Sequence, residues 1–150
     1  MSSTKENILE ESIKLFNEKG CLQTSTRHIA TKLEISVGNV YYYFKNKEEI
    51  VLCLYERYMH LINLQLTSLD EDTNEAFDYY DFLIKQIDYE LQFRFFRLEL
   101  NNIFQKFPKV KKAMEDSIKL KQKQIGFVFN HQIKYGYIKP LSKEELEFVV

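Results

Sequence analysis

Tryptophan is absent from this chain, and glycine, proline and cysteine are nearly so, with four, two and two copies among 150 residues. So few breakers exclude a loop-rich or collagen-like molecule, and two cysteines exclude a disulfide framework. No His or Cys stands at metal-ligand spacing to Cys21 or Cys53. Both cysteines fall at apolar pattern positions, so buried free thiols in a reducing compartment are expected, with no metal and no cofactor. Neither charge sign is in surplus: 21 Lys/Arg oppose 22 Asp/Glu. The balance holds on both sides of residue 60, eight against eight before it and 13 against 14 after it. Bulk charge therefore neither requires nor excludes nucleic acid. The longest apolar run, Ile50 to Tyr55, is far too short for a membrane span, and MSSTKENILE lacks the basic start and apolar core of a signal peptide. A cytoplasmic protein without membrane contact is the expectation.

Period-two alternation is scarce as well, whereas apolar spacings of three and four dominate, so an all-α fold is expected. Ser3 and Glu6, at capping-box spacing, open a first helix with Ile8, Leu9, Ser12, Ile13 and Phe16 on one face, and Gly20 closes it. A second helix starts near Thr24 to Thr26 and turns Ile29, Ala30 and Leu33 inward. Ser36 caps a third. Asn46 with Glu49 opens a long fourth helix through Ile50, Leu54, Tyr58 and Leu61 towards Leu69. The polar stretch Leu69 to Glu75 reads as a linker. A helix to about Leu91 and a shorter one to Phe107 follow, and then a helix from Pro108 to about Tyr135, closed by Gly136 and Pro140. Ser142 with Glu145 starts one more, carrying Leu146, Val149 and Val150. A helix that short holds together poorly alone, so the natural protein is expected to continue, or a partner to complete this element.

The stretch from Thr24 to Lys47 stands apart. Two short capped helices are joined there by few residues, the pattern of a helix-turn-helix whose second helix enters the DNA major groove. Its charge is locally positive, with Arg27, Lys32, Lys45 and Lys47 against Glu34, while acids flank it on both sides. Thr26 and Lys47 lie near helix starts, where backbone N–H groups and partial positive charge suit phosphate. Gly38 lets backbone approach a base edge, Asn39 can pair with one, and Val37 suits a thymine methyl. Tyr41, Tyr42 and Tyr43 point about 100° apart on a helix, so at least one must project outward. The plainer readings stand beside these: Phe44, and Tyr41 as readily as not, packs the small head, and Asn39 and the lysines are solvated.

In ILEESIKLFNEKG, TSTRHIATKLEIS and VGNVYYYFKNKEEIV the chain resembles the TetR/AcrR family of bacterial transcriptional regulators. The resemblance implies an N-terminal three-helix DNA-binding head over residues 1–47. A helix over about 47–69 would link it to a larger helical effector-binding and dimerisation body over residues 48–150. It implies a homodimer on a palindromic double-stranded operator. Thr26, Tyr41, Tyr43 and Lys47 match phosphate or backbone contacts, and Val37, Gly38 and Asn39 match the groove region. With Arg27, Ser36 and Tyr42 they complete the expected DNA-binding set. Three departures stand out. Leu33-Glu34 replaces the family's common Ala-Gly, so Glu34 is expected to be left-handed; Tyr43 replaces a common His, and Cys21 a common aromatic. The family's body ends in two helices that build the dimer interface, and the chain stops as the first of them begins.

Ten of the 22 aromatics fall between Phe77 and Phe107. Most suit a bulky core. The resemblance favours an apolar effector pocket, for which Tyr89, Phe93, Phe96, Arg97, Asn102, Phe127, Asn130 and His131 are the candidates. A repressor released by a small apolar or amphipathic ligand is the leading expectation. The alternative is a DNA-bound interaction protein that recruits a protein partner through its aromatic body. An enzyme is not expected, because no nucleophile–base pair or phosphate loop occurs and His28, His60 and His131 lack consistent partners.

Overall fold

The computed structural model describes residues 3–67 and 79–140, together with 142, 144 and 145, and every element among them is helical. The first helix, α1 (Thr4–Lys19), is capped by Ser3, whose hydroxyl accepts from Glu6 N at 3.3 Å. The Glu6 carboxylate does not return to the cap; it accepts from Arg57 Nη2 at 2.6 Å. Ile8, Leu9, Ser12, Ile13, Leu15 and Phe16 are buried, as the period of α1 demands. Gly20 ends it at φ 89°, a backbone that disfavours any side chain.

Two short helices follow, α2 (Thr26–Lys32) and α3 (Val37–Tyr43), and then the long α4 (Lys47–Thr67). Asn46 caps α4 by accepting from Glu49 N at 3.0 Å, while the Glu49 carboxylate reaches one residue further back, to Lys45 N at 2.8 Å. The linker read from Leu69 to Glu75 lies outside the described residues, as do Leu146, Val149 and Val150. Beyond that gap, α5 (Tyr79–Gln92) leads into α6 (Arg94–Leu98), α7 (Leu100–Lys106) and α8 (Pro108–Lys134). The single helix expected up to Phe107 is thus divided at Glu99 (φ −117°, ψ 20°). The break lets Phe95 and Phe96 on one piece and Ile103 on the other all reach the core, and it frees the Glu99 carboxylate to turn towards the head. Ser142 and Glu145 form the expected reciprocal capping box.

One apolar core runs through the molecule, from Ile8, Phe16, Ile29, Val40 and Phe44 through Ile50 and Leu54 to Phe93, Ile103 and Val110. α4 packs against α1, α5 and α8 and is its spine. Phe16 of α1 meets Phe95 of α6 edge-on at 5.2 Å between ring centroids, while Tyr55 and Tyr58 of α4 meet Phe96 and Phe93 at 5.6 and 5.5 Å. Cys21 is fully buried, and burial pushes its thiol up to about 12, so it is an inert apolar group; Cys53 is half-buried. No helix of the described residues is long and apolar enough to cross a membrane.

Candidate nucleic-acid interface

The helix-turn-helix is built by caps. Ser25 accepts from His28 N at 3.2 Å while His28 Nδ1 accepts from Ser25 N at 3.3 Å, a capping box with histidine in the usual Glu/Gln place. Ser36 starts α3 by accepting from Asn39 N at 3.1 Å. Between the helices, Ile35 N donates to Ala30 O at 3.0 Å and Glu34 N to Thr31 O at 3.3 Å, the paired bonds of a Schellman turn. Glu34 sits at φ 55°, left-handed as the sequence implied. The end of α8 repeats the motif, with Tyr137 N on Gln132 O and Gly136 N on Ile133 O, and there a glycine takes the left-handed position at φ 73°.

A side chain in that conformation costs about 1–2 kcal/mol. Part of that is offset because glycine loses more chain entropy on folding. Glu34→Gly is therefore expected to raise the melting temperature by about 2–4 °C, the shift that one kcal/mol produces in a domain of this size. Scanning calorimetry checks this, and an unchanged or lower value would mean that Glu34 is unstrained.

The outward face of α2 and α3 presents most of the residues read from the sequence. Arg27, Ser36, Gly38, Asn39, Tyr41 and Tyr42 are exposed, with Tyr42 81% and Tyr41 50% accessible, and Thr26, Val37 and Tyr43 are half-buried. Phe44 is buried, so of the pair three apart it is Phe44 that packs the head and Tyr41 that projects. Thr26 Oγ1 donates to the Tyr41 hydroxyl at 3.2 Å, joining two of these groups across the helix pair, and the Tyr42 and Tyr43 rings meet edge-on.

Lys47 is placed differently. Its ammonium turns inward and donates to Cys21 O at 2.9 Å, Leu22 O at 3.2 Å and Thr24 O at 2.9 Å, so its three donors are taken up by the loop before α2. Burial lowers its pKa, and the Phe107 ring lies 5.6 Å away. The ammonium is thus engaged by the loop that leads into the helix-turn-helix.

The residues read as an effector pocket differ in burial among the described residues. Phe93 and Phe96 are core residues, packed on Tyr55 and Tyr58, because a ring gains more from close packing than from lining a void. Arg97, Asn102 and Asn130 are exposed, Tyr89 is half-buried, His131 is buried beside the Tyr135 ring, and the Phe127 side chain lies outside the described ones. The polar groups inside the aromatic layer are ones the sequence did not single out. Tyr58 donates to the Glu90 carboxylate, and Tyr55 shares a hydrogen bond with Ser117. Asn17 and Glu48 were missed as well. Asn17 Nδ2 donates to Gln92 O at 2.7 Å and its Oδ1 accepts from Phe95 N at 3.1 Å; Glu48 accepts from Lys109 N at 2.8 Å at the start of α8. Among the described residues no group of three or more His, Cys, Asp or Glu is placed to hold a metal ion.

A short capped helix pair with an exposed second helix is a fold of the helix-turn-helix class. Residues 8–54 match the family described as bacterial regulatory proteins, tetR family, and residues 57–150 match the one described as bacterial transcriptional repressor, TetR. The chain belongs to the TetR family of bacterial transcriptional regulators, which are DNA-binding proteins and not enzymes. It is similar to the probable HTH-type transcriptional regulator YttP of Bacillus subtilis (strain 168), 34% identical over 77 residues, 49% of this chain and 37% of that protein. A TetR-family transcriptional regulator from Marinobacter aquaeolei VT8 is 28% identical with a TM-score of 0.86, over 95% of this chain and 70% of that one. The ketosteroid transcriptional regulator KstR2 of Mycobacterium tuberculosis, 22% identical with a TM-score of 0.72 over 99% of this chain and 79% of that one, shares the fold. The match to YttP spans well under half of that protein's length.

Proposed function

We propose that this chain is a ligand-responsive repressor that binds a palindromic double-stranded operator as a homodimer and leaves it when a small apolar or amphipathic effector binds the body. The observation that carries the DNA-reading half is α3, where Gly38, Asn39, Tyr41 and Tyr42 face solvent while Val40 of the same helix and the following Phe44 are buried. Val37, Gly38 and Asn39 read base edges in this proposal. Thr26, Arg27, Ser36, Tyr41, Tyr42 and Tyr43 hold the flanking phosphates and sugars, with Lys47 contributing backbone only. Two recognition helices must lie ~34–36 Å apart to meet successive major grooves, so an effector that prefers another spacing lowers affinity. The body supports an apolar occupant or partner: Tyr80, Leu83, Ile84, Ile87 and Leu91 on α5 and Ile118 and Ile125 on α8 are exposed. Tyr89 and His131 keep a place in the proposed effector site, and the exposed Arg97, Asn102 and Asn130 do not.

Duplexes recovered by the protein from a random-sequence library are expected to share a palindrome and to bind with an affinity that falls steeply with salt. Arg27→Ala is expected to reduce the salt slope by ~1 with stability unchanged. Failure to enrich any sequence, or binding that ignores salt, would overturn the DNA reading. A reporter placed behind the enriched duplex separates the sign of control, since repression requires lower expression when the protein is made.

A further inference from the structure

The loop from Gly20 to Ser25, between α1 and α2, is held from both sides by charged groups outside the head's own helices. Its N–H groups face the body: Cys21 N and Leu22 N both donate to the Glu99 carboxylate, the latter at 3.2 Å. Its carbonyls face α4, where the Lys47 ammonium collects those of Cys21, Leu22 and Thr24. Backbone to a charged side chain is the stronger class of hydrogen bond, and here one loop has both kinds within four residues. The close fit is visible at Gly20, where an added Cβ would stand 3.1 Å from Glu99 Oε1. Two residues after Leu22 the chain reaches Thr24, buried and bonded to Gly20 O at 2.9 Å, and then the Ser25 cap of α2. The loop is therefore the last fixed point before the helix-turn-helix.

Glu99 stands at the break between α6 and α7, as C-cap of the one and N-cap of the other. We propose that Glu99 is the positioning residue through which the body sets the helix-turn-helix, with Lys47 as the counter-clamp on the same loop. A shift of the α6–α7 corner carries the Cys21 and Leu22 amides with it, and because Lys47 ties the loop to α4 the displacement reaches α2 as a unit. This rests on DNA binding by the head and not on the effector or on the sign of regulation. Allosteric coupling is reciprocal, so DNA held by the head must in turn quiet the α6–α7 corner.

The test compares wild type with Glu99→Ala and Glu99→Gln, the latter keeping the size of the side chain while losing its charge and one acceptor. Hydrogen exchange is followed by residue with and without a duplex enriched by the wild-type protein, beside melting temperature and affinity. In wild type the duplex is expected to slow exchange in α2 and α3 and also at the Cys21 and Leu22 amides and in α6–α7. In a Glu99 variant that still melts cooperatively, affinity is expected to fall roughly tenfold, within the range of ordinary coupling, and the α6–α7 response to vanish while α4 and α8 stay protected. Wild-type affinity with the α6–α7 response intact would overturn the proposal, and so would an affinity loss that leaves that response unchanged, since that marks a merely structural role. If Glu99→Ala does not fold, Glu99→Gln decides on the same criteria. If wild type enriches no duplex, the DNA reading fails on its own. The clamp is then judged in the free protein, where Glu99→Gln must speed exchange at Cys21, Leu22 and α2 selectively, and unchanged exchange there overturns it.

Discussion

Phe16→Ala is expected to cost about 3–5 kcal/mol, the usual loss when a fully buried phenyl is cut back to a methyl. Phe16 is 1% exposed on α1 and packs edge-on against Phe95, itself 1% exposed on α6. The ring therefore joins a helix of the DNA-binding head to a helix of the body, and no neighbour can close the hole without moving one against the other. Around it Asn17 stitches α1 to both Gln92 and Phe95, and Arg94 Nη2 donates to Asn17 O at 3.0 Å, so the backbone is pinned and collapse is limited. At ~2–4 °C per kcal/mol for a domain of this size, the melting temperature should drop by roughly 10 °C. A continuous core implies one cooperative transition observed alike by a head probe and a body probe. Two separated transitions would mean that the shared core carries little energy. Tyr80→Ala, at a site 73% exposed, is the matched control and should lie within about 0.5 kcal/mol of wild type.

What the sequence made legible were features decided within one turn of helix. Ser3, Ser36, Asn46 and Ser142 all cap, because a cap is a bond to a group about three residues away. The left-handed Glu34 was legible only through the family resemblance, because it stands where the family commonly has glycine. The outward face of α3 was legible only in part: three consecutive tyrosines cannot all be inside, but which of Tyr41 and Phe44 packs the head waited on the burial of Phe44. The misreadings share one cause. Periodicity says which face of a helix is apolar and nothing about which helix it meets. Lys47 looked like a free cation because its partners, the carbonyls of Cys21, Leu22 and Thr24, lie more than 20 residues away. Glu99 looked like one more polar residue in an aromatic body, and its partners are 77 and 78 residues away. Phe93 and Phe96 were read as pocket candidates in a body whose aromatics mostly suit a core, and their packing on Tyr58 and Tyr55 of α4 could not be read from period. The break at Glu99 was hidden for the same reason, being decided by what α6 and α7 pack against.

Gly38→Leu is expected to move two measurements in opposite directions. Glycine in a helix costs about 0.5–1 kcal/mol relative to alanine, so a fold keeps it only where a side chain has no room or no allowed conformation. Gly20 and Gly136 meet that condition, with φ of 89° and 73°. Gly38 does not: it is helical, and a Cβ added there meets only Ser36 Oγ, at an ordinary 3.7 Å. No described neighbour needs glycine at this position; the same holds for Gly126 in α8, but only Gly38 lies on the helix proposed to enter a groove, where backbone must approach a surface more closely than a side chain permits. Leucine should therefore leave stability equal or higher by up to about 1 kcal/mol, because the site is exposed and helical. On DNA, the same side chain would hold α3 off the groove and separate Asn39 and Val37 from their base edges. Each good base contact is worth ~1–3 kcal/mol, so the loss should be about ten- to a hundredfold in affinity for the enriched duplex. Denaturant melts and anisotropy titrations on one preparation read both effects. A stability loss would return Gly38 to the fold, and undiminished affinity would place α3 outside the groove. Stability held while affinity falls is the outcome that only an external contact explains, because in the free chain the added side chain touches nothing that matters to folding.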